Sequence, residues 1–472
     1  MILADFILSH DADDLASLAL ARGRYGAEVP DFDLALTTLE VRRKFRDKVP
    51  EWYAVPSLVY PLRVSGEQCS SSATARYKAS VALTASQQAL WAENACCHVS
   101  SDAAASTFGQ KCLPGVHGER IADLTGGLGV DSWAFAQVFG EVLYNEMRPE
   151  LADAAAHNFR ELGVTNIQVR NCALVPSGMP SVDRPPSGRT VLEILDGFRP
   201  SVIFLDPARR AADGRKVFRL EDCQPDVLQL LPELLAACPK LLLKLSPMAD
   251  ITLVCKQLGC VREVHVVSAD GECKELLLLL ERGWTGPHTL TIVEDGAVMQ
   301  VPASGYALQK PPSLRSGPSQ VAASLTDAGL WAPPSYVAEG GHGFLKSTPS
   351  CGNKIFEPGK AMMKAGAFGL PCTFGLSKLG RHTHLYVGDE VPEELRPFGK
   401  VFEIQEVVPM NNRSIKAVGQ QHPRADVTAR NIPLTSEQLR RKLGVADGGS
   451  MHIFGVHIDS LSANYLLLTI PC

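Results

Sequence analysis

Residues 121–132, IADLTGGLGVDS, run from an apolar strand into a loop carrying Gly126, Gly127 and Gly129 and on into a helix, and the reading of this stretch decides the fold. Glycine has no Cβ to hold a ligand away from the backbone, and the segment WAFAQVFGEV that follows reads as a helix aiming free N–H groups at the loop. The arrangement suits a nucleoside. Its spacing departs from the G-x-G-x-x-G dinucleotide pattern, because Ser132 stands where the third glycine would be. That departure argues against a nicotinamide oxidoreductase. Asp123 closes the strand ahead of the glycines.

Working outward, VLYNEM at 142–147 is a short apolar run ending in Glu146, 23 positions beyond Asp123. An open α/β sheet places its ribose-binding acid at about 20 residues from the loop. A helix, PELADAAAHNFRELGV, then a strand, NIQVRNCA, and a strongly apolar strand, SVIFLDPARR, follow, the last reaching Asp206 and Pro207. Ligands of such sheets bind outside the carboxyl ends of the strands, so Asp123, Glu146, Asn171 and Asp206 are expected around one crevice.

The ordered set resembles class I S-adenosylmethionine-dependent methyltransferases: a D-x-x-G-G-x-G loop, an acid ending the second strand and a D-P-x-x motif ending the fourth. Within that class the chain resembles bacterial methyltransferases with a C-terminal THUMP-like domain. The likeness lies in GEQCSSSATARYKA (66–79), DLTGGLGVDS (123–132), DPARR (206–210), LKLSPMADI (243–251), ECKELLLL (272–279), and ARNIPL with LRRKLGVADGG in the last fifth. It implies S-adenosylmethionine as cofactor. The loop residues Asp123, Thr125, Gly126, Gly127, Gly129 and Asp131 would cradle its methionine part, Glu146 its ribose, and Asn171, Cys172 and Ala173 would border its adenine. Asp206, Pro207 and Arg209 would face the methyl acceptor. In one respect the chain departs from enzymes that methylate exocyclic base amines: these often carry an aromatic after D/N-P-P, whereas here Ala208 and Arg209 follow Pro207.

Methyl transfer from a sulfonium is an in-line displacement, so the protein must chiefly align the partners and take a proton from the nucleophile. Asp206 either performs that task or holds its own loop. Arg209 can grip a phosphate or a base edge bidentately, and Arg210 lies beside it. A covalent pyrimidine C5 route needs a cysteine nucleophile, and LKLSPM offers Ser246 instead. Lys244 ends an apolar run where an unpaired charge is costly, so it either points into the crevice or pairs with an acid. In the SSSATARYKA segment, Ser71 or Ser72 would cap a helix, and Arg76 and Lys78 are candidates for the cofactor carboxylate or a substrate phosphate.

The chain has 472 residues, 45% hydrophobic and 21% charged, enough for more than one core. No apolar run approaches a membrane span, and MILADFILSHDADD lacks the basic start and cleavage site of a secretory signal, so a cytoplasmic location is expected. Thirteen cysteines, with Cys96 and Cys97 adjacent and no C-x-x-C, describe neither a disulfide framework nor a zinc site. His382 and His384 in GRHTHLY alternate on a strand-like segment with no acid or cysteine at ligand spacing, and no metal is expected.

The expected architecture is α/β: a Rossmann-like class I sheet at 119–350, an N-terminal helical domain at 1–118, and a C-terminal α+β region split into a ferredoxin-like domain at 351–397 and a THUMP-like domain at 398–472. A Pro/Gly/Ser-rich loop covers 303–350, and FEPGKAMMKAGAFGL reads as a helix. Residues 340–442 hold 15 Lys and Arg against 9 Asp and Glu, although the chain as a whole carries a net charge of −5. With the THUMP-like resemblance, this asymmetry points to RNA as partner, with Arg430, Arg440 and Arg441 as contact candidates. The expected activity is methylation of a base nitrogen in structured tRNA or rRNA. The alternatives are a small-molecule or protein methyltransferase and a non-catalytic cofactor- and RNA-binding protein; the oligomeric state is not legible.

Overall fold

The computed structural model describes residues 3–26, 29, 31–93, 116–209, 220–301 and 343–472. Arg210, Cys96, Cys97 and the stretch 302–342 of the Pro/Gly/Ser-rich loop lie outside the described residues, as does the side chain of Arg209. The chain forms two compact units, one of residues 1–263 and 276–286, the other of 264–275 and 287–472.

In the first unit the strands are β1 (Val116–Asp123), β2 (Phe139–Asn145), β3 (Ile167–Arg170), β4 (Val202–Leu205) and β5 (Lys240–Leu245). β1 pairs in parallel with β2 and β4, β2 with β3, and β4 with β5. β6 (Val261–Ala269) and β7 (Glu272–Glu281) follow, and the 276–281 portion of β7 runs antiparallel to β5 with Leu276 opposite Leu245. The order from β3 inward is therefore 3-2-1-4-5-7, a doubly wound sheet whose chain reverses direction beside β1. Burial of both faces explains the unbroken apolar strands: Val202–Leu205 and Leu241–Leu243 are all buried. Each such side chain contributes about 1.5–3 kcal/mol of burial.

The helix after the glycine loop spans Val130–Ala136, and Phe139 already begins β2. The expected helix WAFAQVFGEV is thus cut short, because the FGEVLYN run pairs with β1 and buries Val142, Leu143 and Tyr144. The N-terminal helices belong to this unit. Ser72–Glu93 packs on Val130–Ala136, Ser71 Oγ accepts from the Thr74 N–H in the cap position, and Asn158 exchanges hydrogen bonds with the backbone of Val59. Trp52, Tyr60, Phe135 and Phe204 share one core.

The second unit contains the antiparallel pair β8 (Thr289–Glu294) and β9 (Ala297–Val301). It also holds a seven-stranded sheet of β10 (Lys354–Pro358), β11 (Ser377–Lys378), β12 (Tyr386–Gly388), β13 (Gly399–Pro409), β14 (Asp426–Arg430), β15 (His452–Ile458) and β16 (Ala463–Pro471). Its order is 11-12-10-13-16-15-14, with β14 and β15 parallel. The helix expected over FEPGKAMMKAGAFGL is a strand followed by a helix at Lys360–Ala365. Pro358 and Gly359 divide them, and buried Glu294 accepts from the N–H groups of Lys360 and Ala361 at the helix start. GRHTHLY is strand only from Tyr386; the chain bends at 381–382 and is irregular to 385, leaving His382 exposed and Thr383 buried. Helices Asn412–Gln421 and Ser436–Leu443 pack together over β14–β16, and Gly419 lies so close to the Leu443 carbonyl that a Cβ would stand 1.8 Å from it.

Among the described residues, no helix is long and apolar enough to cross a membrane. No group of three or more His, Cys, Asp or Glu among them is placed to hold a metal.

Candidate active site

Strand register assembles the site. Asp123 stands opposite Tyr144 on one side and Phe204 on the other, and the Leu205–Leu243 pairing brings Asp206 beside Lys244. The glycine loop crosses the ends of β1 and β2. Gly126 N–H donates to the Asn145 carbonyl at 2.8 Å, and Gly127 N–H donates to Glu146 Oε2 at 2.9 Å. Glu146 Oε1 accepts from Arg148 N–H, so the carboxylate is held by two backbone donors and retains lone pairs for a further partner. Tyr144 donates its hydroxyl proton to the Gly127 carbonyl and lays its ring under the loop. A Cβ on Gly126 would stand 2.1 Å from that ring, and one on Gly129 2.6 Å from Phe159. Gly127, at φ +55°, faces open space instead. Gly129, at φ +91°, is the left-handed residue from which the helix starts.

Asn145 ties the strand ends together. Its Nδ2 donates to the carbonyls of Leu124 and Cys172, and its Oδ1 accepts from Cys172 N–H, each at 3.1 Å. Asn171 Nδ2 donates to the Glu146 carbonyl, and Ala173 is buried beside it.

Asp123 is 1% exposed. Its Oδ2 accepts from Ser132 Oγ at 2.6 Å and its Oδ1 from Thr125 N–H at 3.1 Å. Thr125 Oγ1 in turn accepts from Asp206 N–H at 2.6 Å. Burial drives the Asp123 carboxyl up to about 8; the Ser132 and Thr125 hydrogen bonds oppose the rise, while the negative charges of Asp131 and Asp206 add to it. Asp206 forms an ion pair with Lys244, so of the two placements open to that lysine the structure shows the pairing. Asp131 forms one with Lys78 at 3.2 Å. Four carboxylates therefore surround the loop with two ammonium groups: Asp131 and Asp206 each meet a lysine, whereas Glu146 is held by backbone N–H groups and the buried Asp123 by Ser132 and Thr125. A ligand that carries positive charge and ribose hydroxyls fits this donor set: the charge would relieve Asp123, the open face of Gly127 admits close approach, and Glu146 can accept from hydroxyls.

Not every expected site residue converges here. Arg76 turns outward to an ion pair with Glu51 and lies over the Trp133 ring, and Lys78 is committed to Asp131 and Ser70. Pro207 is buried, and Ala208–Arg209 pairs with Cys223–Gln224 as a short two-stranded piece. Arg430 pairs with Glu357 and Arg440 with both Glu437 and Asp447, while Arg441 also reaches Glu437, so all three cations already face carboxylates. Asn145, Tyr144, Ser132 and Ser70 also belong to the site, which their positions in the sequence do not announce. An Asn ending an apolar strand is the one available signal, and Ser132 shows in the sequence only as the residue in the third-glycine position. A separate cleft of about 560 Å³, lined by Asp31, Asp33, Glu150, Asp153 and His157 among others, contains no residue of the glycine loop.

Comparison with known structures finds a similar fold over the full length of the chain. Over 100% of this chain and 97% of its own, a candidate methyltransferase from Porphyromonas gingivalis W83 is similar, with a TM-score of 0.68 and 25% identity. Smaller matches include an rRNA methylase from Streptococcus thermophilus, 12% identical over 35% of this chain and 88% of its own with a TM-score of 0.22. A SAM-dependent methyltransferase from Aquifex aeolicus is 16% identical over 35% and 83%, with a TM-score of 0.23. No curated protein sequence matches. Sheet order, glycine loop and full-length similarity together place the chain among S-adenosylmethionine-dependent methyltransferases of class I. Residues 355–395 match a ferredoxin-like domain and 399–468 a THUMP domain-like family, so the methyltransferase fold carries a C-terminal THUMP-like domain.

Proposed function

We propose that the protein methylates a base nitrogen of structured RNA, tRNA or rRNA, with S-adenosylmethionine as donor. The observation that carries the reading is the carboxylate excess around an open glycine loop, next to Asp206 at the end of β4, in a chain that also bears a THUMP-like domain. The cofactor supplies the electrophilic methyl group. Gly126, Gly127 and Gly129 let its methionine part approach the backbone, Glu146 holds the ribose, and Asn171 and Ala173 border the adenine. Asp206 is held by Thr125 through its N–H and by Lys244 through its carboxylate, and in this reading that carboxylate meets the incoming N–H. There it accepts or orients the proton as the nitrogen attacks. No aromatic follows Pro207, so the base is unstacked and presented by its RNA context rather than clamped by a ring after the motif.

On the THUMP-like domain, the exposed Arg413 and Lys416 of helix Asn412–Gln421 and Lys442 of helix Ser436–Leu443 are the better RNA contacts, since Arg430, Arg440 and Arg441 face acids. Transfer of labelled methyl to small RNA from cells lacking the protein tests the reading against total protein and a metabolite extract. The expected result is label in RNA, lost in Asp206→Ala while cofactor binding persists. Label in protein or metabolites alone, or none in any fraction, would refute it. Arg413→Glu with Lys416→Glu and Lys442→Glu is expected to weaken RNA retention and reduce its salt dependence, and unchanged retention would move the contact elsewhere.

A further inference from the structure

We infer that Lys78 and Ser70 are positioning residues of the cofactor loop, through which the N-terminal helical segment sets the affinity of the site. The inference rests on the cofactor reading above. Lys78 is 0% exposed, and a buried ammonium is costly unless charged and hydrogen-bonding partners surround it. Its Nζ stands 3.2 Å from Asp131 Oδ1 and donates to Ser70 Oγ at 2.9 Å. Ser70 Oγ donates to Asp131 Oδ2 at 2.8 Å, which closes a ring of three side chains.

Ser70 lies in the segment leading into helix Ser72–Glu93 and Lys78 within that helix, whereas Asp131 lies in the first turn of the helix that leaves the glycine loop. A carboxylate in that turn also stabilises the helix start. From Asp131 the connection continues without a break. Ser132, the next residue, donates to Asp123; Asp123 accepts from Thr125 N–H; Thr125 accepts from Asp206 N–H; and Asp206 meets Lys244. The loop is thus clamped between two lysines, one from each end of this sequence of contacts. Gly129, at φ +91°, has no Cβ to stiffen the junction, so the orientation of the helix start depends on what holds Asp131. Arg76, two residues earlier, faces Glu51 and takes no part. Removing Lys78 leaves Asp131 a largely buried, uncompensated anion, and relief of that charge requires the helix start to shift toward water, carrying Ser132 and Asp123 with it.

The test uses the full chain. S-adenosylmethionine binding is measured by calorimetry and folding by thermal melting for wild type, Lys78→Met, Asp131→Asn and the double variant, with kcat and cofactor KM where transfer is detectable. Lys78→Met is expected to weaken cofactor binding about tenfold or more while kcat at saturating cofactor stays within about threefold, because a misplaced loop raises KM rather than changing the reacting groups. The double variant, which removes charge and counter-charge together, is expected to recover most of the lost affinity. A purely structural role predicts lower melting temperatures with unchanged Kd at temperatures where the variants are folded, and that outcome overturns the inference. Should Lys78→Met not fold, Asp131→Asn decides: it keeps the side-chain shape and the Ser70 contact, and an affinity within about twofold of wild type overturns the proposal. A wild type that binds no S-adenosylmethionine overturns the cofactor reading as well, whereas wild-type binding with unchanged variants overturns this inference alone.

Discussion

Replacing Asp123 by Asn separates the proton held by this buried carboxyl from the shape of the loop. Asn can accept from Thr125 N–H and donate to Ser132, so the substitution preserves the contacts of the neutral acid. Its energetic effect follows from linkage. In the unfolded chain the carboxyl titrates near its model value of 3.8, and in the folded protein burial raises it to about 8. Between these values the folded state keeps a proton that the unfolded state has released. Stability from this group is therefore complete below about 3.8, falls as pH rises through the window, and stops falling once pH passes about 8. The slope approaches about 1.4 kcal/mol per pH unit, and flattens near the upper limit, which gives about 2 kcal/mol lost between pH 6 and pH 8. The Asp123→Asn variant has no such proton and loses nothing over this interval. By the usual size scaling, about 2 kcal/mol corresponds to roughly 3–4 °C in melting temperature for a unit of this length. The assay is thermal melting of ligand-free wild type and Asp123→Asn across pH 6–8. The melting difference, variant minus wild type, is expected to grow by that amount as pH rises, and a difference that stays flat would refute the account of Asp123 as a buried acid awaiting a counter-charge.

Two further outcomes test the loop itself. Gly126→Ala places a methyl group 2.1 Å from a Tyr144 ring that is anchored by its hydroxyl to Gly127, so the ring cannot swing aside without losing that bond; a loss of about 1–3 kcal/mol in melting experiments is expected, and a neutral substitution would show that the loop packs differently. Glu146→Ala removes the acceptor of both Gly127 N–H and Arg148 N–H, and calorimetry is expected to show about tenfold or more weaker S-adenosylmethionine binding, with Glu146→Gln intermediate. Equal affinity in Glu146→Ala would remove that residue from the ribose role.

The sequence was most informative where chemistry and backbone geometry coincide locally. A glycine loop between a strand and a helix, an acid after the second strand and Asp-Pro after the fourth are each short-range signals, and their order alone specified the sheet and the ring of polar strand ends. Element boundaries were less legible. The helix after the loop stops at Ala136 because the next apolar residues gain more by pairing with β1, and FEPGKAMMKAGAFGL divides because Pro358 and Gly359 interrupt it and Glu294, distant in sequence, caps the second half.

Charged residues were the least legible of all, since a cation's partner is a long-range fact. Lys78 and Arg76 stand two positions apart and look alike in the sequence, yet one is buried on Asp131 and the other exposed on Glu51. Arg430, Arg440 and Arg441 contribute to a basic segment, yet Glu357, Glu437 and Asp447 face them. By itself the sequence determined the fold class and the residue types of the site, because hydrophobic periodicity and glycine conformation act over a few residues. Only the tertiary structure decided which of the loop carboxylates would meet a lysine and which would be buried without one, because that depends on the burial and pairing that strand register imposes on Asp123, Asp131 and Asp206 together.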